Sequence, residues 1–201
     1  MHEFAAGWWH SARHRPSPNF DQRPPAARVD LLVIHAISLP PQEFGGSYIE
    51  SLFMNQLQPL DHPSFAVLAG LRVSAHFLIE RGGGVIQFVP VTARAWHAGV
   101  SSFGGISACN NRAIGIELEG ADTCAFAPVQ YEVLTNLCVA LCGEYPQISL
   151  AHVIGHADIA PGRKTDPGPC FDWIMFRAQI ARRLVTGSNV GCAGLLSELA
   201  Q

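Results

Sequence analysis

Short apolar runs bounded by glycine and proline alternate along the chain with stretches whose apolar residues recur at helical spacing. Residues 30–37 hold Leu31, Leu32, Val33 and Ile34 without a polar break, which predicts a buried strand that Pro40-Pro41 closes off. Within 47–57, Ile49, Leu52, Phe53 and Leu57 fall on one side of a predicted helix. Residues 74–80 and 85–89 read as two strands joined by Gly82-Gly83-Gly84, hence a hairpin. Residues 113–119 alternate strictly, with Ile114, Ile116 and Leu118 on one face and Gly115, Glu117 and Glu119 on the other. Residues 128–143 read as a helix with Val129, Val133, Leu137 and Leu141 as its stripe and Pro128 in its first turn. A short strand over 151–155 leads into His156. A last helix over 172–185 sets Trp173, Phe176, Ile180 and Leu184 on one face, with Asp172 at its start. Strands interleaved with helices in this way predict a mixed sheet with helices packed on it, α/β (α+β) in class.

The same pattern divides the chain. Residues 1–29 are rich in Pro, Arg, His and Ala and read as an N-terminal arm, with Trp8 and Trp9 tucking it against the body. Residues 30–185 form one domain. Residues 186–201 read as a loose C-terminal tail rich in Gly, Ser and Ala. Of the 201 residues, 48% are hydrophobic and only 14% charged, which excludes a globally disordered chain. A net charge of −3 argues against a nucleic-acid partner. No apolar run approaches the about 18 residues of a membrane helix. No basic segment followed by an apolar stretch opens the chain, so the expectation is a cytoplasmic protein whose six cysteines are thiols.

Candidate chemistry sits at the margins of the apolar elements. His35 lies near the end of the 30–37 strand, and His156 follows Val153-Ile154-Gly155. Asp166 opens Asp166-Pro167-Gly168-Pro169, a stiff turn suited to holding a side chain in place. Two histidines and one carboxylate are the ligand set of a catalytic zinc site, which leaves a tetrahedral position for water. Spacing alone does not single out this triple: the chain has nine histidines, and His62, His76, His97 and His152 compete. His76 and His97 fit equally well as core residues or as partners behind a ligand, and a Cys170 thiolate is a rival ligand. Glu117 interrupts an apolar strand and reads either as a solvated face or as a general base. Lys164, the chain's sole lysine, reads either as a loop charge or as a cation aimed at a developing oxyanion.

Several ordered blocks then carry a resemblance. They include Leu32-Val33-Ile34-His35, Arg94-Ala95-Trp96-His97-Ala98-Gly99, Ile114-Gly115-Ile116-Glu117-Leu118-Glu119-Gly120, Gly155-His156 and Arg163-Lys164-Thr165-Asp166-Pro167-Gly168-Pro169. From about residue 8 to about residue 182 the chain resembles the AmpD-type 1,6-anhydro-N-acetylmuramoyl-L-alanine amidases, within the wider zinc amidase and peptidoglycan-recognition superfamily. The resemblance implies a central mixed β-sheet flanked by helices. It implies Zn2+ held by His35, His156 and Asp166, with Glu117 and Lys164 as the catalytic pair. It implies Arg72, Trp96 and His97 as substrate-binding residues, Arg72 being suited to a peptide carboxylate. The implied substrate is a small muropeptide, cut between the lactyl group of anhydro-N-acetylmuramic acid and L-alanine. The implied setting is peptidoglycan recycling, which lowers the level of the muropeptides that induce β-lactamase, by a monomer or weak oligomer. Two positions depart from the pattern: Ala36 stands where Asn is expected, and Ala108 where Arg is expected, with Arg112 a nearby substitute.

Overall fold

Leu31, Leu32, Val33 and Ile34 are all fully buried, as an unbroken apolar run requires of a strand covered on both faces. The computed structural model describes residues 3–186. The chain opens with four short strands, β1 (Phe4–Ala5), β2 (Trp8–Trp9), β3 (Arg13–His14) and β4 (Phe20–Gln22). Then follow β5 (Leu31–Ile37), α1 (Tyr48–Phe53), β6 (Phe77–Ile79), β7 (Val85–Gln87), β8 (Ala93–Ala95), β9 (Ser102–Phe103), β10 (Ile106–Ser107) and β11 (Ala113–Glu119). The last elements are α2 (Pro128–Glu144), β12 (Val153–Gly155), α3 (His156–Ile159) and α4 (Trp173–Thr186). Residues 187–201, nearly all of the expected tail, lie outside the described residues, as does His2. Among the described residues no helix is long and apolar enough to cross a membrane.

Six strands form one sheet in the order β12-β5-β11-β6-β7-β3. The strands β12, β5, β11 and β6 run parallel, while β7 returns antiparallel from β6 in the expected hairpin. The sheet is therefore mixed, as expected. Its two faces follow the period of two. Leu32, Ile34, Ile114, Ile116 and Leu118 pack with Tyr131, Leu134, Leu137 and Leu141 of α2 and Phe176 and Ile180 of α4. Leu31, Val33 and Ala113 pack on the other side with Ala98, Cys109 and Ile159. His35 and Glu117 belong to that second face.

Two expectations change. In α2 the buried apolar residues are Tyr131, Leu134, Leu137, Cys138, Leu141 and Cys142, whereas Val129 is 38% exposed. A stripe taken every four residues overshoots a 3.6-residue turn by about 40° per step, so Val129 has drifted off the face that meets the sheet. The 113–119 strand has no solvated face: Glu117 and Glu119 are both buried. Glu119 accepts backbone N–H bonds from Gly45 and Arg81 at 2.5 and 2.9 Å, which satisfies its carboxylate inside the fold. The arm is woven into the body. β3 adds to the edge of the sheet, β4 pairs with β8, and the buried Trp9 meets Phe77 edge-on.

Candidate active site and metal centre

The C-terminal ends of β12, β5 and β11 lie side by side, the usual ligand edge of parallel strands. His35 sits there on β5, opposite Glu117 of β11 in register. His156 opens α3 immediately after β12. The turn after α3 brings Asp166 back, its carbonyl accepting the Ala157 N–H at 3.0 Å. Three ligand atoms converge: His35 Nδ1 lies 2.9 Å from His156 Nδ1, and Asp166 Oδ2 lies 3.1 and 3.0 Å from them. Among the described residues, His35, His156 and Asp166 form the one group of His, Cys, Asp and Glu ligand atoms close enough to share a metal ion. Cys170 is not part of it.

The donor set fits a divalent cation. Two buried imidazole nitrogens and a half-buried carboxylate oxygen face one another, the combination that suits zinc. Burial lowers His35 to about 4, so the ring is neutral and its lone pair free. Burial would raise Asp166, but hydrogen bonding to His156 and His35 outweighs it and holds the carboxyl well below the ordinary range. Glu117 stands beside this set with Oε2 buried and without a hydrogen-bond partner. Burial, and then the Asp166 charge, push Glu117 well above the ordinary carboxyl value, while Lys164 pulls it back. Lys164 itself is exposed at the rim, its charge felt by both Glu117 and His35.

Residues 25–169 match the family model described as N-acetylmuramoyl-L-alanine amidase. This chain belongs to that family. The amidase is 52% identical over 176 residues to the 1,6-anhydro-N-acetylmuramyl-L-alanine amidase AmpD of Escherichia coli, covering 88% of this chain and 96% of that one. It matches the crystal structure of a selenomethionine AmpD derivative with a TM-score of 0.86 at 52% identity, covering 88% of this chain and 98% of that one. It also matches the Escherichia coli amidase AmiD in complex with anhydro-N-acetylmuramic acid-L-Ala-D-gamma-Glu-L-Lys, with a TM-score of 0.55 at 31% identity, covering 79% and 60%.

The remaining expected residues of the amidase separate. His97 is in the cluster, its Nδ1 2.9 Å from His35 Nε2. Arg72 is exposed and lines a cavity of about 110 Å³ with Leu52, Asn55 and Leu57. Trp96 adds to Arg94 in holding the Asp21 carboxyl below its ordinary value. Neither Arg72 nor Trp96 is hydrogen-bonded to the triad. The competing histidines have structural partners: His62 accepts from the Ser64 N–H, His76 from the Gly115 N–H, and His152 donates to the Asp30 carbonyl. Arg112 is committed to Asp30 through two bonds of 2.6 and 2.5 Å. Sequence reasoning missed the Ala98 carbonyl, which lies 3.2 Å from His156 Nε2. A backbone acceptor leaves no signal in residue type.

Proposed function

We propose that this chain is a zinc-dependent amidase that hydrolyses the bond between the lactyl group of 1,6-anhydro-N-acetylmuramic acid and L-alanine in muropeptides. The observation that carries the reading is the convergence of two buried imidazoles and the half-buried Asp166 carboxylate beside Glu117, whose Oε2 has no partner. Similarity to the AmpD relative over nearly its whole length supports the choice of substrate. His35, His156 and Asp166 would hold the ion. When bound there, zinc supplies Lewis-acid activation of the scissile carbonyl and of the attacking water. Glu117 takes the water's proton at its free oxygen and returns it to the leaving amine; its raised pKa suits both directions of transfer. Lys164 places a positive charge on the side where the carbonyl oxygen becomes negative. Arg72 and Trp96 are proposed on the resemblance alone as walls of the substrate pocket. Ala108 lines a cavity of about 610 Å³ with Ser101, Ala160 and Arg163, next to α3, so that departure falls where a substrate group can be accommodated. In the same reading the 30–185 segment is the amidase domain, working in the cytoplasm on recycled fragments as a monomer or weak oligomer and thereby limiting β-lactamase induction.

The test is incubation of the purified chain with 1,6-anhydro-N-acetylmuramoyl tripeptide or with intact peptidoglycan, with and without a chelator, read by mass spectrometry. Free tripeptide from the anhydro substrate, abolished by chelation, is expected. Release from intact peptidoglycan alone would move the enzyme to an exported role. Binding without release would make it a recognition module.

A further inference from the structure

We propose that His97 is a positioning residue for the metal centre, acting through His35 rather than on the substrate. The inference rests on the reading of His35, His156 and Asp166 as metal ligands. A neutral imidazole that offers Nδ1 to a cation carries its proton on Nε2. For His35 that N–H points at His97 Nδ1, 2.9 Å away. His97 accepts it only in the tautomer that carries its own proton on Nε2. That nitrogen is buried without a partner. The ring thus gives up a hydrogen bond on its far side and spends its acceptor on the ligand.

The fold holds the His97 ring in that orientation. A Cβ at residue 115 would stand 2.5 Å from His97 Nδ1, so Gly115 opens the space the ring fills. His35 and His76 meet the ring edge-on, at centroid distances of 5.0 and 5.8 Å. The backbone is pinned as well: the His97 and Ala98 N–H groups both donate to Asn110 Oδ1, at 3.3 and 2.9 Å. The next carbonyl, Ala98, accepts from His156 Nε2 at 3.2 Å and from Arg163 Nη2 at 2.6 Å. Two adjacent residues therefore receive the outer N–H groups of both histidine ligands. Such partners fix tautomer and ring angle, and losing one typically weakens metal binding about 10- to 100-fold.

The experiment measures zinc affinity of the full chain by competition with a chromogenic chelator, for the wild type and for H97A, H97L and H97N. Leucine keeps bulk without an acceptor, and asparagine returns an acceptor oxygen near the place of Nδ1. The expected result is a roughly 10- to 100-fold loss for H97A and H97L, with most of the affinity recovered in H97N. Unchanged affinity in H97A, in a chain whose wild type binds zinc, overturns the proposal. A loss in H97N equal to that in H97L overturns it too, since packing alone would then explain the effect. A wild type that binds no zinc fails the metal-site reading itself. Imidazole nitrogen spectra of the zinc-loaded wild type need no variant: His97 protonated on Nε2 supports the proposal, and His97 protonated on Nδ1 overturns it.

Discussion

Glu117 is a carboxyl placed where the fold favours its neutral form, because burial and the Asp166 charge both disfavour ionisation. In metal-free protein the native state therefore holds the Glu117 proton more tightly than the unfolded chain does. Stability falls as pH rises above the ordinary value of 4.5. Glu117→Gln removes that loss, so metal-free E117Q should outlast the wild type in denaturant at neutral pH, and the difference should close below that value. The same variant should lose at least about a hundredfold in kcat while still binding zinc, which a chelator competition would check. Lys164→Met should lower kcat by about two orders of magnitude with KM little changed, because the proposed charge acts on the oxyanion of the transition state. Glu117 was legible as a polar break in an apolar strand. Its burial was not, because alternation states which face a residue shares and not what covers that face.

The elements were the most readable level. The runs at 30–37 and 113–119, the hairpin over 74–89 and both long helices stand where their periodicity places them. Asp172 accepts the Met175 N–H at 2.8 Å, as the start of α4 predicted. Of the expected α2 stripe, Leu137 and Leu141 are buried and Val133 packs against the core, whereas Val129 lies off that face, because several apolar residues line more than one side of the helix and only the sheet and α4 select among them. Leu134→Ala should therefore cost about 2–5 kcal/mol in urea unfolding, whereas Val129→Ala should stay within about 0.5 kcal/mol.

At the scale of the molecule, the N-terminal segment is tied into the body, and the proposed zinc would add to its cohesion. Arg23 reaches from the arm into the body, where its guanidinium donates to the carbonyls of Val91, Asn110, Asn111 and Ala113 at 2.9 to 3.3 Å. Burial lowers this group to about 10. Arg23→Ala strands those carbonyls and should destabilise the fold by on the order of 3 kcal/mol in equilibrium unfolding. Removing zinc should abolish hydrolysis and lower the melting midpoint, and adding it back should restore both. At a hundred times Kd, binding contributes about 2.7 kcal/mol.

By itself the sequence determined the strands and helices, the shared face of Leu31, Val33 and His35, and the blocks that carry the family resemblance. These are local properties: period, turn chemistry and residue type are written in consecutive positions. Only the tertiary structure decided which histidines meet. His35 and His156 stand 121 residues apart, and the order β12-β5-β11 brings their strand ends together. The packing of His97 over Gly115 sets its ring against His35, while Arg72 lines a separate cavity. Convergence of this kind is fixed by which surfaces bury one another across the sheet, and no stretch of sequence carries it alone.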